Sequence, residues 1–112
     1  MDRKIMDYTI EGCPGVFFVI RPKGIRTPIA FGGITDEGEI YGLYVDPSWR
    51  RQKLGSDMVK FLEGYSKVKT VYAHTHCENE AGKGILVSLG YSMSGSLDFE
   101  GERYLRYDKG VV

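Results

Sequence analysis

Glu39-Ile40-Tyr41-Gly42-Leu43-Tyr44-Val45-Asp46-Pro47-Ser48-Trp49-Arg50-Arg51-Gln52-Lys53-Leu54-Gly55-Ser56 is the stretch that decides how this chain folds. Residues 39–45 are rich in β-branched and aromatic side chains and are stopped by Asp46-Pro47, so they read as a strand. Leu54, Met58, Phe61, Leu62 and Tyr65 then recur at helical spacing. A short basic loop joins the two. That order aims the orphan N–H groups of a helix start, from about Gln52 to Ser56, at one point. Arg50 and Arg51 add charge there, which is how a protein holds a pyrophosphate.

Working towards the N-terminus, Asp36-Glu37-Gly38 is a hairpin turn. Residues 28–35 are strand-like, and Gly32-Gly33 hints at a bulge or tight packing. Residues 16–21 and 5–10 are two further strands, separated by the turn cluster Gly12-Cys13-Pro14-Gly15. This half is an antiparallel meander. Working towards the C-terminus, residues 68–74 form a strand, and strand–helix–strand implies a right-handed crossover with a parallel pair. Ala81, Ile85 and Leu89 mark a second helix, which Gly82 and Gly84 weaken by about 1 kcal/mol each against Ala. Gly90 is its natural stop. Residues 91–97 and 103–107 make a last hairpin around Gly101. The expected fold is α/β (mixed α+β): a mostly antiparallel central sheet, one parallel β-α-β crossover and two main helices.

The totals bound the function. At 112 residues the chain is expected to form one domain over 1–112 around a single core. Fifteen basic residues balance fifteen acidic ones, which argues against a general nucleic-acid or membrane-surface binder. Cys13 and Cys77 are far apart and form neither a C-x-x-C pair nor a disulfide framework, so a reducing cytoplasm is the simplest home. The N-terminus lacks the apolar stretch of a signal peptide, and the longest apolar run, residues 16–20, is too short to span a membrane.

The loop Arg50-Arg51-Gln52-Lys53-Leu54-Gly55-Ser56 closely resembles the acetyl-CoA loop of the GNAT superfamily of N-acetyltransferases. That motif is Gln or Arg, two variable residues, Gly, one variable residue, then Gly or Ala. Arg50 fills the first position and Gly55 the last; Lys53 stands where the first glycine usually sits. Glycine there permits close backbone approach to the pyrophosphate, so lysine either crowds it or adds its own charge. Asn79 followed by Gly90-Tyr91 resembles a later family motif, in which Asn begins a helix that ends in Gly-Phe or Gly-Tyr. The resemblance covers residues 39–91. It implies acetyl-CoA as co-substrate and no metal, with Arg50, Arg51, Gln52, Lys53, Leu54, Gly55 and Ser56 on the pyrophosphate. It places Leu43, Tyr44 and Val45 along the pantetheine arm as an added strand, and Asn79 near the arm's amide. A splayed or bulged strand there frees an amide to polarise the thioester carbonyl.

The family reaction needs a neutral amine, so a proton must leave a group whose pKa is about 10.4. Glu39 falls where the histone-acetyltransferase branch keeps its glutamate base. The other reading, a solvated glutamate at a hairpin exit, stands beside it. Many relatives place a tyrosine four residues before the Gly-Phe pair to protonate the departing thiolate; here that position is Leu86. Ser88, Tyr91 or water are the substitutes available. Most relatives also insert two helices between their first and second strands, which roof the acceptor side, and this chain has no room for them.

His74 and His76 alternate on a strand and share a side, with Cys77 and Glu78 nearby. No further ligand cluster accompanies them, so histidines beside the cleft or solvent are the commoner outcome than a metal site. Either one is an alternative base through water. Asn79 is also a favoured helix N-cap, which is compatible with a ligand contact. Tyr41, Tyr44, Tyr91, Tyr104 and Tyr107 are expected to pack the sheet rather than cage a ligand. Cys77 has no basic partner fixed by sequence and is expected to be an inert thiol.

Taken together, the resemblance implies transfer of an acetyl group from acetyl-CoA to a primary amine by direct attack. The amine is a small molecule or a protein lysine or N-terminus, and a homodimer is one way to close the open acceptor side. The alternative is an acyl-CoA-binding regulatory module with little turnover, which Leu86 and the missing roof helices motivate.

Overall fold

The computed structural model describes residues 8–12, 17–50 and 53–111. The strands are β1 (Tyr8–Gly12), β2 (Phe17–Pro22), β3 (Ala30–Ile34), β4 (Glu39–Val45), β5 (Thr70–His76), β6 (Ser92–Phe99) and β7 (Glu102–Gly110). A 3-10 turn, Pro47–Trp49, and helix α1 (Leu54–Glu63) lie between β4 and β5; helix α2 (Glu80–Ser88) follows β5. One seven-stranded sheet has the order β1-β2-β3-β4-β5-β7-β6. Every neighbouring pair is antiparallel except β4 and β5, which are parallel and joined through α1. The meander, the crossover and the final hairpin follow the sequence reading. The expected strand at residues 5–10 falls partly outside the described residues, and so does Cys13.

Both helices share one core. Ile20, Ile34, Ile40, Val71 and Ala73 from the strands meet Leu54, Met58, Val59 and Leu62 of α1 and Leu86 of α2. These are the apolar positions that recur at helical spacing and alternate along the strands. The contact is tightest at Gly32, where an added Cβ would stand 2.8 Å from Met58 Cγ and 3.1 Å from Leu62 Cδ1. Here the glycine lets helix meet sheet. Asp46 closes β4: its carboxylate Oδ1 accepts from the Ser48 N–H at 2.9 Å, which starts the 3-10 turn and buries Trp49 in the core. That turn is absent from the sequence reading, because three residues carry no periodicity.

The alternate strand positions form the opposite face, which carries no helix among the described residues. Phe17, Phe31 and Tyr44 there are 40%, 36% and 47% exposed. Tyr41, Tyr72, His74, His76 and Arg106 lie on the same face, by the register of their strands. Tyr91 and Tyr107, by contrast, are buried in the core as expected.

Candidate active site

The parallel ladder between β4 and β5 is only two rows long: Glu39 opposite Tyr72 and Ile40 opposite Ala73. Beyond Ile40, β4 stays paired with β3, and beyond Ala73, β5 stays paired with β7. The two strands therefore part, leaving a wedge whose facing edges are residues 41–45 and 74–76. Backbone N–H and C=O groups on such edges are available to an extended ligand.

The cause of the parting lies in β4. Tyr41 faces Gly33 and Tyr44 faces Phe31, so three steps on β4 span two on β3. The extra residue is a bulge, and Gly42 carries it at φ 64°. Glycine is the residue that takes such a φ without strain. Any Cβ at Gly42 would also meet Phe17 Cε1 at 2.9 Å. The sequence reading saw a bulge signal at Gly32-Gly33; the register does shift there, but the inserted residue sits across the pair on β4.

The 3-10 turn carries the chain from β4 to α1. The Arg50 guanidinium donates from Nε to the Val45 carbonyl at 3.1 Å and lies 6.0 Å from the Tyr44 ring centroid. Arg50 is thereby folded back along the end of β4. Arg51 and Gln52 lie outside the described residues. Lys53 is the N-cap of α1, at φ 61° and ψ 22°, with no side-chain cap bond. Its carbonyl accepts the first helical bond, from the Asp57 N–H at 2.9 Å. The N–H groups of Leu54, Gly55 and Ser56 precede that bond and have no partner within the helix. Gly55 ties three elements together: a Cβ there would lie 3.1 Å from Ile85 Cδ1 and 3.9 Å from Val45 Cγ2. The end of β4, the start of α1 and the flank of α2 therefore converge.

Asn79 caps α2, its Oδ1 accepting from the Gly82 N–H at 3.0 Å. Because β4 and β5 are parallel, α1 and α2 both begin at the end of the sheet where the wedge is widest. Two sets of first-turn donors, each carrying the positive end of a helix dipole, therefore sit at one end of the molecule.

At the vertex of the wedge, Glu39 Oε2 lies 3.4 Å from His74 Nδ1, with the side chains 36% and 24% exposed. His74 is opposite Arg106 in the β5–β7 register. The Arg106 guanidinium stacks 3.9 Å from the Tyr72 ring centroid and donates from Nε to Asp108 at 2.8 Å. Asp108 also accepts from Ser94 Oγ at 2.8 Å. Arg106 above all, and then Ser94, hold the Asp108 carboxyl below its usual range. His76 is spoken for on both ring nitrogens. Nδ1 accepts from the Glu78 N–H at 3.1 Å, so the proton lies on Nε2, 2.7 Å from Glu102 Oε2. Among the described residues no three metal-ligating groups cluster.

Leu86 is 4% exposed and belongs to the core. The other acid candidates are engaged elsewhere. Ser88 Oγ donates to the Ile85 carbonyl at 2.8 Å, and Tyr91 OH donates to Glu63 Oε2 at 2.7 Å, at the far end of α1. Burial first, and then Glu63, push the Tyr91 phenol well above its ordinary range.

A sheet that opens between two parallel strands, with a bulge at the opening and helix starts at its mouth, is a framework suited to an extended ligand with an anionic end. The sequence matches the Acetyltransferase (GNAT) family over residues 2–91. The chain belongs to the GNAT acetyltransferase family. No curated protein matches it. Solved structures share the fold at low identity. A GNAT-family acetyltransferase of Bacillus cereus superposes with a TM-score of 0.76 at 15% identity, over 88% of this chain and 72% of the other. Ard1 of Thermoplasma volcanium gives 0.73 at 17%, over 88% and 72%. The Salmonella typhimurium protein yncA, solved with its cofactor acetyl-CoA, gives 0.70 at 14%, over 84% and 63%. No helix among the described residues is long and apolar enough to cross a membrane.

Proposed function

We propose that this chain is an acetyl-CoA-dependent N-acetyltransferase in which a primary amine attacks the thioester directly. The observation that carries the reading is the two-row β4–β5 ladder, with the Gly42 bulge beside it and the α1 start beyond it. The pantetheine lies in the wedge against Leu43, Tyr44 and Val45, as an added strand. The pyrophosphate meets the N–H groups of Leu54, Gly55 and Ser56 and the charges of Arg50, Arg51 and Lys53, with Gln52 in the same loop. Asn79 spends its oxygen on its own helix and keeps its amide NH2 for the pantetheine amide region. The thioester then reaches the vertex, where Glu39 takes up the amine's proton, directly or through a water. A backbone amide freed by the bulge polarises the carbonyl.

The acceptor side is the sheet face that no helix covers among the described residues. A face this open suits a lysine or N-terminus carried on a macromolecule better than a metabolite enclosed in a pocket. A second copy covering the face is the rival arrangement. The unpaired Cys77 thiol fits a reducing cytoplasm.

Leu86 in the core favours a second reading, an acyl-CoA-binding regulatory module with little turnover. A thiol leaves near neutrality with a pKa of about 8.5, and a general acid is worth about 10²–10⁴-fold, so catalysis without one is slower rather than absent. Thiol release from acetyl-CoA with a panel of peptide and small amines separates the two. Transfer that falls by at least tenfold in Glu39→Gln, with CoA binding intact, supports the transferase. Binding without release on every acceptor supports the module.

A further inference from the structure

The vertex holds a group that the reading above leaves idle. Glu39 sits in a paired row, behind the point where β4 and β5 part, whereas His74 is the first β5 residue beyond the last paired row. Both strands run towards the wide end of the wedge, so His74 is nearer than Glu39 to any thioester lying in it. His74 Nδ1 is the nitrogen turned to Glu39, at 3.4 Å, and no hydrogen-bond partner among the described residues occupies Nε2. A carboxylate beside Nδ1 fixes the tautomer with the proton on Nδ1, which leaves the Nε2 lone pair directed away from Glu39.

We propose that His74 is the catalytic base and that Glu39 is its positioning residue: what stands between the amine and Glu39 is this imidazole rather than a water. The inference rests on the transferase reading and assigns its proton path. The ammonium form of the acceptor gives one proton to Nε2, and the resulting imidazolium is stabilised by Glu39. The neutral nitrogen then forms the N–C bond to the thioester carbon. The C–S bond breaks as the tetrahedral adduct collapses, and the second nitrogen proton finishes on the departing sulfur. His74 is partly exposed and returns its proton to water. Two carboxylates and one guanidinium surround the ring: Glu39 from β4, and Arg106 and Asp108 from β7. Tyr72 and His76 flank it on β5, and His76 in turn contacts Tyr104 and Glu102 of β7. Among the described residues Arg106 is the cation opposite the ring in the β5–β7 register, and it is tied to Asp108 and stacked on Tyr72. An imidazole titrates near pH 6.5 in water and a carboxylate near 4.3, so the imidazole suits a base working near neutrality.

The test compares kcat/KM against pH for the wild type, His74→Gln and Glu39→Gln, with acetyl-CoA and a mixture of lysine-bearing and free-N-terminus peptides. His74→Gln is expected to lose about 10²-fold and the acid limb of the profile, with CoA affinity unchanged. Glu39→Gln is expected to keep that limb at a rate lowered at least tenfold, because the ring loses the carboxylate that orients it. Nitrogen-15 NMR of the wild-type imidazole needs no acceptor and is expected to show Nδ1 protonated and Nε2 bare. A His74→Gln enzyme with the wild-type rate and limb, or a ring protonated on Nε2 when neutral, overturns the assignment. A wild type that neither binds CoA nor releases thiol contradicts the transferase reading instead.

Discussion

Lys53 is where the chain departs from its family's loop, and its backbone shows why a glycine is usual there. At φ 61° it occupies the left-handed region, which costs a residue with a Cβ about 1 kcal/mol or more. The side chain makes no cap bond in return. Lys53→Gly is therefore expected to raise stability by about 0.5–1 kcal/mol, since the relief of strain outweighs the added freedom of the unfolded chain. Thermal unfolding checks it, and an unchanged or lowered midpoint contradicts it. If the lysine charge contributes to diphosphate binding, the same variant weakens CoA affinity while stabilising the fold. A second residue-scale expectation concerns alkali. Tyr91 is protonated in the fold, held there by burial and by its bond to Glu63, and its phenol titrates above the ordinary 10.0. Tyr8, partly buried and donating to Asp57, is pushed up to about 12. The stability from these protonated phenols is full below pH 10 and is lost as pH rises from there through the raised values. Tyr91→Phe is expected to cost about 1 kcal/mol at neutral pH and to make the decline above pH 10 shallower, as denaturant titrations across pH 7–11.5 would show.

At the scale of elements, β4 carries the site because it fails to remain regular. The bulge at Gly42 re-aims residues 43–45, and it parts them from β5 after two rows. Gly42→Val would place a branched side chain at φ 64° and a Cβ 2.9 Å from Phe17 Cε1. A loss of about 2–3 kcal/mol is expected, with CoA affinity falling further than the loss of fold explains. A Gly42→Val protein that binds CoA normally would show that the wedge does not depend on the bulge. Much of this was legible beforehand. The bounds of β4 are those read from the sequence, because Asp46-Pro47 and the hairpin turn punctuate both ends. α1 was legible from its apolar spacing. β5 runs two residues later than the reading, at Thr70–His76, because residues 66–69 are apolar in part yet bend to close the turn after α1. That shift brings His76 within the strand's bounds beside His74. The position of the bulge was not legible: Gly32-Gly33 on β3 is the visible signal, but Gly32 is needed for close packing under Met58, and the inserted residue is decided by pairing across strands. The Glu39–His74 contact was hidden for the same reason. It joins residues 35 apart, and only the parallel register brings them together.

At the scale of the whole molecule, one face of the sheet carries both helices and the other carries none among the described residues. The two helices bury their apolar stripes on a common core, and their starts face the mouth of the wedge. The helix-free face presents aromatic rings around a cluster of Glu39, His74, Arg106 and Asp108. Cofactor and acceptor would therefore approach from different sides and meet at the vertex, the division of labour that direct attack requires. That arrangement stands on the binding of a diphosphate at the start of α1 and of its extended arm between β4 and β5. Titrating coenzyme A into isotopically labelled protein and following backbone amide signals tests it most directly. The expected result is saturable shifts at Leu43, Val45, Leu54, Gly55, Ser56 and the Asn79 side-chain amide, with β1 and the β6–β7 hairpin tip unmoved. Signals that stay still at millimolar coenzyme A, or that move only outside the wedge, would contradict it.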